Sequence, residues 1–108
     1  MEGFKLKIKR KALKSIKQYP QYRERLIELF QTLKRNPIPF REYDVAKLRG
    51  YRDVYRIRIG KLRVIYQINW VDREITILVV AEREKAYKRI QLHHLPHVLT
   101  NLNLRLIS

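Results

Sequence analysis

Cysteine is absent from the 108-residue chain, which excludes a disulfide framework and any cysteine-based zinc site. Glycine, with 3 residues, and proline, with 4, are scarce, so neither a fibrous repeat nor a disordered low-complexity chain fits. No apolar run approaches the length needed to cross a bilayer. The opening Met1-Glu2-Gly3-Phe4-Lys5 also lacks the apolar core of a signal peptide. A soluble, cytoplasmic protein is the expectation. Acidic residues are few as well, 10 Asp and Glu against 25 Lys and Arg. The resulting charge of +15 is a self-repulsion that folding alone does not favour, so an anionic partner is expected. Charge does not choose among nucleic acid, an acidic protein and an anionic membrane.

What is present suffices for one small core: 45% of residues are hydrophobic and 10% aromatic, in a chain too short for two independent domains. Residues 4 to 9 alternate strictly, which predicts a strand with Phe4, Leu6 and Ile8 inward and lysines outward. From Lys11 the period changes, and Leu13, Ile16 and Tyr19 suit a short helix ending near Pro20. Tyr22, Leu26, Leu29, Phe30 and Leu33 then mark an amphipathic helix stopped by Asn36-Pro37. The two helices form a hairpin. Residues 36 to 50 have no steady period and read as a loop, with a short strand allowed at its end; its length suggests a functional role.

Three strands follow, Val54 to Ile59, Leu62 to Trp70 and Glu74 to Ala81, joined by Gly60-Lys61 and by a turn around Val71-Asp72-Arg73. The last is apolar on both faces, Ile75, Ile77 and Val79 against Leu78 and Val80, which places it at the sheet centre with the first strand beside it. The fold class is α+β: a small antiparallel-rich sheet on an N-terminal helical hairpin, in the order β-α-α-β-β-β. Glu84 to Ile90 suits another helix. Residues 91 to 108 have Arg105 as their only charged residue among Lys, Arg, Asp and Glu. They read as a leucine-rich C-terminal extension of a domain spanning 1 to 90, with Leu92, Leu95, Leu99, Leu102 and Leu106 on one face and Pro96 as a helix start or break. That face is expected to dock on its own core, to make a homodimer or to occupy the groove where a partner's helix would lie.

The segment richest in chemistry runs from Ala46 to Arg63, where seven basic residues accompany one acid, Asp53. Period 2 sends Tyr55, Ile57 and Ile59 to one face and Arg56 and Arg58 to the other, while Arg63 leads the next strand just across a tight turn. Three cations on one patch repel, so an anion is expected between them, and a phosphate suits paired guanidinium donors. Lys5, Lys7, Lys9, Arg10, Lys11, Lys14 and Lys17 form a second basic block. With Lys47, Arg49 and Arg52 they make an electrostatic footprint for a polyanion. A solvated basic face is the bland reading of each cluster alone.

Lys47-Leu-Arg-Gly50, Tyr55-Arg-Ile-Arg-Ile-Gly60, Arg63-Val-Ile-Tyr66 and Arg83-x-x-x-Tyr87, in this order after a strand and a helical hairpin, resemble the RelE toxins of the RelE/ParE superfamily, particularly their archaeal branch. The likeness runs from about residue 4 to 90. It implies a RelE-like fold and a toxin that enters the ribosomal A site and cleaves mRNA without a metal or cofactor. The partners it implies are the ribosome, mRNA and an acidic RelB-like antitoxin that wraps the toxin. Carried over by position, Arg56, Arg58, Arg63, Arg83 and Tyr87 are the catalytic set. Arg56 and Arg63 would hold the phosphate, Arg83 would protonate or neutralise the leaving oxygen, and Tyr87 would orient a base or the nucleophile. Some relatives have lysine at the position of Arg58, and arginine is a poor general base because its pKa exceeds ~12. Either Tyr87, Glu82 or Glu84 takes the proton, or positioning and charge stabilisation carry the reaction.

Competing readings are a ParE-like or catalytically degenerate relative, acting on DNA gyrase or binding nucleic acid without cleavage, and an architectural DNA-binding protein. His93, His94 and His97 read as surface histidines rather than a metal site, since Pro96 interrupts the turn and no carboxylate is near. Tyr66 and Trp70 share a strand face with Leu62, Val64 and Ile68, which favours core packing over base stacking for both.

Overall fold

A computed structural model describes residues 3–99, with side chains through residue 91. The readings of the leucine tail and of the three histidines fall outside the described side chains. Among the described residues no helix is long and apolar enough to cross a membrane. The chain folds as β1 (Lys5–Ile8), α1 (Arg10–Lys17), a 3-10 turn over Pro20–Tyr22, α2 (Arg23–Arg35), β2 (Asp44–Lys47), β3 (Val54–Ile59), β4 (Leu62–Asn69), β5 (Glu74–Glu82) and α3 (Arg83–Leu99). One five-stranded sheet has the order β1-β5-β4-β3-β2, antiparallel except for the parallel β1–β5 pair. The α+β architecture expected from the sequence is therefore present, with one more strand than βααβββ.

Both sheet faces are covered. On one, Ile57, Ile59, Leu62, Val64, Tyr66, Ile75, Ile77 and Val80 bury against Ala12 of α1 and Leu26, Leu29 and Leu33 of α2. On the other, Val54, Ile65, Leu78, Val79 and Ala81 bury against Ala86 and Ile90 of α3. Two apolar faces explain why β5 reads as an apolar run rather than as an alternation.

Four details depart from the sequence reading. Leu13, expected on the buried stripe of α1, is 41% exposed; the small Ala12 and Ser15 face inward instead, letting the helix lie close to β5. The register of β4 and β5 slips between Ile65 and Tyr66, so that Ile65 pairs with Val79 and Tyr66 with Ile77, leaving Leu78 as the extra residue of a bulge. The bulge reverses the alternation, and Val79 joins Leu78 on the α3 side while Val80 joins Ile77. With β2 added at the far edge, the middle strand is β4, and β5 lies between β4 and β1. Finally, α3 continues past Pro96 to Leu99 without a break.

Candidate active site

The arginines of β3 lie on the sheet face that α3 covers in part. The register of β3 and β4 sets Arg58 directly across from Arg63 and Arg56 across from Ile65, so all three positions share that face, as the alternation predicts. The connection is a two-residue loop in which Gly60 has φ 58, a left-handed conformation glycine adopts without penalty. The Tyr22 hydroxyl accepts the Lys61 N–H at 3.1 Å, and a Cβ on Gly60 would stand 2.6 Å from that oxygen. The helical side of the molecule thereby fixes the turn that leads into Arg63. Arg63 is 8% exposed, and its Nη1 donates to the carbonyls of Gly60 (3.3 Å) and Leu62 (3.2 Å). Its side chain is folded back on the turn, and among the described residues it has no carboxylate partner.

Arg56 and Arg58 do have one, and it comes from β2, the element that was least legible. Asp44 pairs with Arg58 in the β2–β3 register. One carboxylate oxygen lies 3.3 Å from Arg56 Nη1 and the other 3.4 Å from Arg58 Nη1, and Arg56 also donates to the Asp44 carbonyl at 3.4 Å. The anion expected between like charges is thus supplied by the protein itself. The signal for it was slight: Tyr43 and Val45 alternate with Asp44 and Ala46 over only four residues, two positions before the basic segment begins.

Strand β5 brings in the remaining candidates. Ala81 pairs with Arg63, and two residues later Arg83 opens α3, exposed and without an ion-pair partner among the described residues. One turn on, Tyr87 is half-buried against the apolar cluster under α3. Of the three proposed proton acceptors, Glu82 pairs with Leu62 and so shares the face opposite Arg63. Glu84 is exposed in the first turn of α3, and Tyr87 packs on the arginine side.

The wider basic set divides. Arg49 and Arg52 are exposed in the loop between β2 and β3, bent by Gly50 at φ 85 and Asp53 at φ 56. Lys47, across from Tyr55, falls on the other face from Arg56. Lys5 and Lys7 lie on β1, at the opposite edge of the sheet, with Lys7 3.6 Å from Glu74. Lys9, Lys11 and Lys14 line a separate cleft of about 790 Å³ floored by Leu78, Val79 and Val80. There Arg89 donates to Ser15 Oγ at 2.8 Å and ties α3 to α1. Tyr66 belongs to the core as expected: it is fully buried, donates to the Pro37 carbonyl at 2.7 Å, and has its phenol pKa pushed up by burial and by the neighbouring Tyr55. Trp70 lies past the end of β4, half-exposed, with its ring edge-on to Phe4 at 5.5 Å. Among the described residues no cluster of His, Asp or Glu has the makings of a metal site.

Known proteins share this fold. Residues 6–87 match the family of ParE toxins of type II toxin-antitoxin systems. The chain is 44% identical over 86 residues to RelE1 of Methanocaldococcus jannaschii, named as a toxin, covering 79% of this chain and 96% of that one. Its fold superimposes on the archaeal RelE-RelB complex from Pyrococcus horikoshii with a TM-score of 0.70 and 36% identity, over 78% of this chain and 99% of that chain. A variant of the E. coli toxin RelE with two arginines replaced by alanine, solved in the free state, matches with a TM-score of 0.64 and 26% identity, over 83% of this chain and 99% of that chain.

Proposed function

The chain belongs to the RelE/ParE family of type II toxins and is of the RelE type, and from that premise we propose that it is a ribosome-dependent mRNA endoribonuclease held silent by an antitoxin. The observation that carries this reading is the gathering of Arg56, Arg58 and Arg63 on one sheet face, with α3 bringing Tyr87 to that face and Arg83 to its end. In the reaction the 2′-oxygen of a nucleotide bonds to phosphorus and the bond to the 5′-oxygen breaks, leaving a 2′,3′-cyclic phosphate and a 5′-hydroxyl. A proton leaves the 2′-hydroxyl and one reaches the 5′-oxygen. Arg56 and Arg63 hold the non-bridging oxygens, Arg83 neutralises or protonates the leaving oxygen, and Tyr87 orients the nucleophile. Guanidiniums supply the positive charge, so the proposed chemistry needs no metal or cofactor. With Arg58 permanently charged, the rate rests on placement and charge stabilisation, the ribosome presenting mRNA already bent.

The partner in this reading is an acidic RelB-like chain, in keeping with the RelE-RelB complex of the P. horikoshii relative and with a toxin charge of +15. The lysines and arginines around the site meet the RNA backbone, and the setting is the cytoplasm, where translation takes place. A second reading follows from the matched family's ParE description: action on DNA gyrase. Adding the purified protein to translating ribosomes and mapping mRNA ends, beside a gyrase supercoiling assay, separates the two. Cleavage in the A site with 5′-hydroxyl ends, abolished by a 2′-deoxy substitution at the scissile nucleotide, is the expected result. Inhibited supercoiling with intact mRNA would overturn the reading.

A further inference from the structure

Asp44 sits on Arg56, one of the two arginines proposed to hold the scissile phosphate, and on its neighbour Arg58. Its two carboxylate oxygens each meet a different guanidinium, Arg56 at 3.3 Å and Arg58 at 3.4 Å, the same two-oxygen, two-guanidinium pattern that a phosphate's non-bridging oxygens would make. We propose that Asp44 is an internal competitor for RNA: it occupies the anion seat of Arg56 and Arg58 in the free protein and must be displaced by the incoming phosphate. This rests on the reading of that face as the RNA site.

Three observations support displacement over a fixed structural pairing. The Asp44 side chain is 55% exposed and that of Arg58 51%, so the pairs are screened and weakly held. Asp44 is the first residue of β2, a four-residue edge strand reached from the irregular segment after α2. Its carboxylate can therefore swing outward without unpairing the sheet. Arg56, whose side chain is only 14% exposed, keeps its hydrogen bond to the Asp44 backbone carbonyl, so the guanidinium stays aimed when the carboxylate leaves. The consequence is selectivity. A chain of charge +15 attracts every polyanion, and a carboxylate already on the seat lowers affinity for phosphates that arrive loosely. An RNA presented in a fixed geometry replaces both contacts at once.

The test is equilibrium binding of a short, non-cleavable RNA carrying a 2′-deoxy scissile nucleotide, over a range of salt, for wild type, Asp44→Asn, Asp44→Ser and Arg56→Ala. The sign decides. A competitor predicts that both Asp44 variants bind more tightly, about tenfold at low salt, with a steeper dependence on salt. Unchanged or weaker binding by both variants would overturn the inference, weaker binding being what a purely structural Asp44 gives. Arg56→Ala separates this from the functional reading: if it leaves affinity untouched, the face is not the RNA site and both ideas fall. Loss with Arg56→Ala but no gain with the Asp44 variants removes the competitor alone.

Discussion

At the scale of single residues, the site depends on charges whose positions are enforced by hydrogen bonds to backbone. Arg63 is the most constrained, buried and bonded to the carbonyls of Gly60 and Leu62. Arg63→Lys keeps the charge but replaces the planar guanidinium, whose Nη1 bonds both carbonyls while its other nitrogens are left for a phosphate, by a single ammonium, so single-turnover cleavage on the ribosome should fall at least about tenfold with little change in fold. Tyr66 makes the opposite kind of contribution. Its hydroxyl satisfies the buried Pro37 carbonyl, and Tyr66→Phe leaves that acceptor unpaired at a cost of about 1–3 kcal/mol. Thermal denaturation should show a Tm lower by about 4–8 °C for each kcal/mol lost. The folded protein raises the Tyr66 pKa through burial. Its share of stability is therefore complete below the unfolded phenol's pKa of about 10 and is lost as pH climbs above it. Denaturant titrations across that alkaline range should give a downward slope in wild type that is shallower in Tyr66→Phe.

At the scale of elements, the turn between β3 and β4 couples the helical layer to the site. Gly60→Ala meets both a positive φ and the Tyr22 hydroxyl. It should destabilise by more than about 1 kcal/mol, read as a lower Tm, and should slow cleavage as well because the Gly60 carbonyl holds Arg63. Loss of Tm with full single-turnover activity would show that the turn does not aim Arg63. The elements also show what the sequence makes legible. Strands β3 and β4 and helix α2 were readable because each repeats its period several times between clear punctuation, Gly60-Lys61 or Asn36-Pro37. The arginine face followed from period 2 together with the tight turn at Gly60-Lys61. Strand β2 was readable only as a short strand allowed at the end of a loop, since four residues give too few repeats to fix its bounds, and Asp44 was missed as the partner of Arg56 and Arg58. The bulge at Leu78 was equally hidden: in a run apolar on both faces, a one-residue slip leaves no polar residue out of place to reveal it.

At the scale of the whole molecule, the charge of +15 is distributed rather than focused. One group surrounds the arginine face and the loop of Arg49 and Arg52, and another lines the cleft between α1 and β5. Binding of single-stranded RNA should weaken steeply with salt, its logarithm falling by about 0.7 per phosphate neutralised for each unit of log salt. Removing both Arg49 and Arg52 should flatten that slope by about 1.4, and an unchanged slope would place the backbone path elsewhere. The most direct test of the central claim is the single-turnover rate of mRNA cleavage on programmed ribosomes for wild type, Arg63→Ala and Arg83→Ala, each checked for an intact fold by its thermal transition. The account predicts a loss of at least about 100-fold for each variant, the scale of removing one preorganised charge-stabilising donor; cleavage by both at the wild-type rate would contradict it.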